Sequence, residues 1–292
     1  MATNMSRSSA AAAAAAEVEA LLRPFAKFKD RSHQTSKTSH IPLLQNHPDG
    51  PTVVLLGDSM IERMTTTGCS PSFEPWPSET MLGGAHLQQS SAHADPDAAH
   101  EPPHNMRQLT GVFNAGVGGD RIQNIMYRLI GSDDTSNSSG DDEGLQLPGL
   151  APVLAERPIK LWVVQAGTNN LHLKKGLMDK DRDAMQLLLQ ALVKLSGNDC
   201  KILLTGLFPR TDIKRELIDQ ANDKLREMVG HMNTELEKVE EKEERVVFLP
   251  APEINADEHL EDHVHLNLTG YRLWARGLVP KVIEILGSSS TS

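Results

Sequence analysis

Five short apolar runs punctuate this chain: Thr52–Leu56, Gly111–Asn114, Ile159–Gln165, Lys201–Gly206 and Val246–Leu249. Each is too short for a stable helix, and each holds consecutive apolar residues rather than apolar residues at alternate positions. Such strands are buried on both faces, as in a parallel sheet with helices above and below. The intervening segments supply those helices. Arg121–Ile130 and Asp181–Leu195 read as helical, and Leu268–Leu286 is a final amphipathic helix. Between the last two strands, Ile213, Leu217, Ala221, Leu225, Met228, Met232 and Leu236 recur at three- or four-residue spacing, giving one apolar stripe. Strand and helix in alternation predict an α/β fold of three layers with a five-stranded parallel sheet. No repeat of fixed period points to a solenoid or propeller.

The remaining segments set the limits of this domain. Residues 1–40 are rich in Ala, Ser, Thr and Lys and read as a flexible tail with a short helix over Glu17–Phe28; the domain is expected over 41–287 and a short tail over 288–292. Polar inserts rich in Ser, Gly, Pro, His or Asp are expected at about 65–110 and 131–149, since ordinary connections are much shorter and carry more apolar residues. A formal net charge of -10 offers no general attraction to phosphate backbones, so nucleic acid is not an expected partner. Two cysteines, Cys69 and Cys200, are too few for a disulfide framework. The alanine-rich start is followed by Glu17 and Glu19 rather than by a signal-peptide core, and no stretch reaches the roughly 18 apolar residues of a spanning helix. These features fit a cytoplasmic protein without a membrane span.

In a parallel α/β sheet, ligands bind beyond the carboxyl ends of the strands. After the first strand comes Gly57-Asp58-Ser59-Met60, a turn that can present a hydroxyl and a helix-initiating N–H. After the second, Asn114-Ala115-Gly116-Val117-Gly118-Gly119-Asp120 lets backbone N–H groups approach a ligand. The third is followed by Gly167-Thr168-Asn169-Asn170, which offers a short amide donor. Beyond the fifth lies Asp262-His263-Val264-His265, where a carboxylate three residues before an imidazole can hold its tautomer. A nucleophile, a base, an orienting acid and several oxyanion donors form the inventory of acyl transfer.

These four blocks, in this order from Val53 to His265, resemble the SGNH (GDSL-like) hydrolases. The resemblance implies a flavodoxin-like sheet, no cofactor and no metal, Ser59 as nucleophile, Asp262 and His265 completing its triad, and an oxyanion hole of Ser59, Gly119 and Asn169. Within the family, the strings Val54–Met60, Gly116–Asp120 and Gly167–Asn170 are most similar to the catalytic subunits of platelet-activating factor acetylhydrolase Ib. That branch removes short acyl groups, often acetyl, from lipid or carbohydrate alcohols, which implies a small-molecule ester substrate. The long tail and the two inserts depart from those subunits.

Each position also has a structural reading. Ser59 can cap the helix that follows it. Gly118 and Gly119 can serve a turn, and Asn169 can bond its own loop. Asp58 is read as a turn-stabilising residue, Gly118 as packing and Asn170 as structural. His263 and His265 could pair on a metal, although no third ligand adjoins them. His86, His93, His100 and His104, scattered in a Pro-rich insert, are given no role, and the charged run Glu235–Arg245 reads as an exposed helix end. An acyltransferase and a silent scaffold remain the alternatives to a serine esterase, and a homodimer is left open.

Overall fold

The computed structural model describes residues 2–47, 49–64, 76–78, 108–132, 147–240 and 244–288. Five strands, β1 (Val53–Gly57), β2 (Val112–Gly116), β3 (Leu161–Gln165), β4 (Lys201–Thr205) and β5 (Val246–Leu249), form one sheet in the order β2-β1-β3-β4-β5, all neighbours parallel. This is the α/β architecture expected. Gly57 lies level with Gly116 on one side and Gln165 on the other, so the ends of the three strands that carry site residues are aligned. The strand order reverses direction between β1 and β3, and such a switch point leaves a crevice at the carboxyl edge.

The strands divide their side chains by two-residue periodicity. Val54, Leu56, Phe113, Ala115, Trp162, Val164, Ile202 and Leu204 face one core. Helices α5 (Ile122–Ile130), α7 (Asp179–Leu195) and α8 (Arg215–Glu240) cover that face. Val53, Leu55, Val112, Leu161, Val163 and Leu203 face the other core, covered by α4 (Ser59–Glu62) and α10 (Leu268–Ser288), with Phe208 edge-on to Trp274 at 4.8 Å between ring centres. The stripe of α8 lies against the first core, with Ala221, Leu225, Met228 and Met232 buried and Leu217 and Leu236 partly so. Two shorter helices, α6 (Ala151–Ala155) and α9 (Ala256–His259), complete the connections near β3 and β5.

The expected flexible tail over 1–40 requires correction. Ala2–Leu22 forms helix α1, followed by α2 (Asp30–Thr35), a π-turn over Ser36–His40 and α3 (Ile41–Asn46). Val18 and Leu22 are fully buried in the first core, and α1 lies against α7, α6 and α5. Alanine is the strongest helix former and buries little side chain, so Ala10–Ala16 forms a helix without an apolar stripe that periodicity could detect. The helix stops at Leu22 rather than running to Phe28, because Pro24 lacks the N–H that continuation needs.

The inserts expected at 65–110 and 131–149 fall mainly on 65–75, 79–107 and 133–146, outside the described residues. Their ends are tied. Trp76 and Leu109 exchange backbone bonds of 2.9 and 2.7 Å, and Ser132 pairs with Leu147 through two bonds of 3.0 Å. No helix among the described residues is long and apolar enough to cross a membrane.

Burial of the N-terminal helix has a measurable consequence. Leu22→Ala should lower the free energy of unfolding by about 2–5 kcal/mol, the cost of a core leucine cavity, as read from urea unfolding. A midpoint equal to wild type would return this segment to the status of a tail.

Candidate active site

Ser59 opens α4 directly after β1, and its backbone N–H stands at the start of a helix, where no preceding carbonyl accepts it. The sharp turn requires Gly57. A Cβ there would lie 2.1 Å from the Gln165 carbonyl oxygen. Asp58 caps α4, its Oδ1 accepting from the Met60 N–H at 3.0 Å. It is therefore the turn-stabilising residue the sequence suggested, and the cap belongs to Asp58 rather than to Ser59.

The segment after β5 brings an imidazole to this serine. His265 Nε2 lies 3.0 Å from Ser59 Oγ, and His265 Nδ1 lies 2.7 Å from Asp262 Oδ2. The other Asp262 oxygen accepts the backbone N–H groups of Val264 (2.8 Å) and His265 (2.7 Å). With Nδ1–H donating to the carboxylate, the Nε2 lone pair is left to accept the Ser59 proton. The loop is braced by the Glu261 N–H on the His265 carbonyl (2.8 Å), and Tyr271 Oη–H reaches the Met60 carbonyl at 3.0 Å. Asp262 lies on an exposed loop, and the desolvation it suffers there opposes its ionisation. The hydrogen bonds from the His265 side chain and from the His265 and Val264 backbones outweigh this and hold its carboxyl well below the usual range.

The loop after β2 lies beside the serine. Gly119 has φ +73°, a left-handed conformation that favours glycine, and among the described residues its N–H makes no hydrogen bond. From the other side, Asn169 sits in a 3-10 turn over Thr168–Asn170. One hydrogen of its amide is committed to the Asp120 carbonyl (2.9 Å), and the other meets Asp58 Oδ2 only at 3.5 Å. That second hydrogen is weakly held and open to a ligand. Asn170 is structural, accepting the Ile122 N–H and donating to Asp181 and Gln123.

Several supporting residues lie outside the sequence reading. Arg128, fully buried, donates to Asp120 Oδ2 (2.8 Å), the Ala115 carbonyl (2.8 Å) and the Gly57 carbonyl (3.1 Å), tying the ends of β1 and β2 to the glycine loop. Lys29 and Ser32 add further bonds to Asp120, and Arg31 pairs with Glu62 at 2.9 Å. The signal for Arg128 was a charge within the apolar sequence Ile125–Ile130. Nothing local marked Lys29 or Ser32.

His263 does not join the site; it is exposed, near Asp212, with its carbonyl accepting the Thr211 N–H. Among the described residues no group of three His, Cys, Asp or Glu side chains is placed to hold a metal.

The two site carboxylates differ in environment. Burial, helped by the nearby Asp120 carboxylate, raises Asp58 to about 7 against the opposing bond from the Met60 N–H. The folded protein thus keeps a proton that the unfolded chain loses near pH 4, and stability falls as pH rises from about 4 to about 7. Asp58→Asn retains an acceptor for Met60, and denaturant midpoints measured across that range should lose much of this decline. An unchanged slope would assign the decline to other groups.

A family model for GDSL-like lipases and acylhydrolases matches residues 53–278. Comparison with curated proteins found no match. Among solved structures, an acetyl esterase carrying the mutation S10A, with acetate ion, is 17% identical, covering 82% of this chain and 99% of its own at a TM-score of 0.48. A carbohydrate esterase of family 3 from Talaromyces cellulolyticus is 15% identical over 82% and 99% at a TM-score of 0.47. A family two carbohydrate esterase from Clostridium thermocellum, solved with cellohexaose, is 14% identical over 82% and 66% at 0.49. The matched span includes β1 and its serine turn, the glycine loop, the Asn169 turn and the Asp262–His265 segment; the chain belongs to the GDSL-like lipases and acylhydrolases and is a hydrolase of carboxylic esters.

Proposed function

We propose that this protein is a serine esterase that removes short acyl groups, acetyl foremost, from a lipid or carbohydrate alcohol through an acyl-enzyme on Ser59. The observation that carries the reading is the unbroken chain from Asp262 through His265 to Ser59, at 2.7 and 3.0 Å. His265 Nε2 takes the hydroxyl proton as Ser59 Oγ attacks the ester carbonyl, and the Asp262 carboxylate stabilises the imidazolium formed. The oxyanion meets the Ser59 N–H, the Gly119 N–H and the weakly held second hydrogen of the Asn169 amide. As the tetrahedral species collapses, His265 returns the proton to the departing alcohol. Water then attacks the acyl group with His265 again as base, releasing the carboxylic acid and restoring Ser59. Each oxyanion donor is worth about 100- to 1000-fold in rate, so three donors rival the base in importance. Every proton transfer in this sequence is supplied by side chains, with no metal or cofactor required. The short acyl group rests on the likeness of Val54–Met60 and Gly116–Asp120 to the acetylhydrolase branch of the family.

A panel of p-nitrophenyl esters of increasing acyl length, hydrolysed in the presence of EDTA, tests the reading. Activity should be greatest on acetate, fall with chain length and be unaffected by the chelator. Ser59→Ala should abolish it in a protein that keeps its wild-type circular dichroism. His265→Ala should cost several orders of magnitude and His263→Ala little, while Asp262→Asn should cost less than loss of the nucleophile. If the His263 variant is the inactive one, the base has been misassigned.

The pH dependence follows from the same roles. A general base must be neutral to take the serine proton, so kcat/KM should fall under acidic conditions. Asp262, held well below the usual carboxylate range, stays ionised throughout and contributes no second limb. A profile with no acidic limb would contradict His265 as base.

A further inference from the structure

The N-terminal segment crosses directly behind the glycine loop. The Lys27 N–H donates to the Gln123 carbonyl (2.9 Å), the Asn124 amide donates to the Lys27 carbonyl (2.9 Å), and Lys29 then caps α2 in extended conformation. Arg31 on Glu62 and Ser32 on Asp120 fasten the next turn. This anchorage delivers the Lys29 ammonium to the Gly118 carbonyl oxygen at 2.7 Å. Gly118 C=O and Gly119 N–H belong to one peptide unit. In a planar trans peptide the two point in opposite directions, so a group that fixes the carbonyl also fixes the N–H.

We propose that Lys29 is a positioning residue of the oxyanion hole: its ammonium, bound to the Gly118 carbonyl, orients and polarises the peptide whose Gly119 N–H meets the oxyanion. The inference rests on the proposed serine-esterase mechanism and adds to it a residue that never touches substrate. A cation on the carbonyl oxygen draws electron density from the amide and strengthens its N–H as a donor, since hydrogen bonds in series polarise one another. The carbonyl needs such a partner, because Gly119 lies outside any regular ladder and its φ of +73° is set by the loop alone.

The competing reading is that Lys29 merely neutralises Asp120, to which it lies at 3.2 Å. Two observations favour the carbonyl. That bond is the shorter, and Asp120 already has a fully buried cation in Arg128 at 2.8 Å. With its side chain 29% exposed, Lys29 adds little to stability through a second, longer ion pair.

The two readings separate kinetically. In the full-length protein, Lys29→Met should lower kcat on p-nitrophenyl acetate by about 10-fold or more, a fraction of what a lost donor costs, with KM within about twofold. Inactivation by diethyl p-nitrophenyl phosphate, whose phosphoryl oxygen uses the same donors, should slow in proportion. Lys29→Arg, which keeps a cation on the carbonyl, should recover most of the rate, and Lys29→Gln is read in the same way if the methionine variant does not fold. The proposal is overturned by a Lys29→Met kcat within about twofold of wild type, by a rise in KM alone, or by an arginine variant as impaired as the methionine one. Ser59→Ala run in parallel distinguishes the causes. If that variant is inactive while Lys29→Met is not, the esterase mechanism stands and the role of Lys29 falls; if Ser59→Ala stays active, both fall.

Discussion

One buried guanidinium holds the catalytic edge of the sheet together. Arg128 spends its donors on the carbonyls of Gly57 and Ala115 and on the carboxylate of Asp120. Strand ends normally leave such carbonyls to water, and a loop as rich in glycine as Gly116–Gly119 has little of its own to define a shape. By binding both strand ends and the far side of the loop at once, Arg128 makes the position of Ser59 and that of Gly119 parts of one rigid unit. The arrangement also carries a constraint. A buried charge must be met by an opposite one, and removing the Asp120 carboxylate would leave the guanidinium uncompensated at a cost of about 3–5 kcal/mol. Asp120 is thereby fixed by the structure, and its carbonyl in turn holds the Asn169 amide.

The catalytic edge thus has two layers. In the proposed mechanism Ser59, His265, Gly119 and Asn169 meet the substrate, while Arg128, Asp120, Lys29 and Ser32 brace the loop and strand ends that carry them. Charge is sorted between the layers by environment. Asp58, buried at the start of α4, is pushed up to about 7 and caps a helix, whereas Asp262, on an open loop, is kept ionised by three hydrogen bonds. Two residues of one type perform different tasks because burial outweighs the donors at Asp58, whereas the donors outweigh it at Asp262. The ionised carboxylate is the one that faces the imidazole.

The parts legible in the sequence are those in which local chemistry repeats a pattern. Apolar runs marked all five strands to within a few residues, because a strand buried on both faces is built mostly of consecutive apolar side chains, with few polar ones such as Asn114 and Gln165 among them. The turn at Gly57–Ser59 and the Asp262–His265 spacing were legible because each is contained in a few consecutive residues. The N-terminal helix was not, since Ala10–Ala16 contributes helix propensity and close packing without the large apolar residues that periodicity detects. Lys29 escaped for a different reason. Its partner, the carbonyl of Gly118, lies 89 residues away, and a backbone acceptor leaves no mark in the sequence. Arg128 stood between these cases: a charge in an apolar helix signals a buried partner without naming it.

The central claim is a covalent one, that Ser59 carries the acyl group in turnover. The most direct measurement is peptide mass spectrometry after stoichiometric treatment with diethyl p-nitrophenyl phosphate, alongside residual activity. The account expects a single diethylphosphoryl adduct on the peptide containing Ser59, activity lost in proportion to its occupancy, and greatly slowed labelling in His265→Ala. Full loss of activity with the adduct on another residue, or activity that survives complete labelling of Ser59, would contradict it.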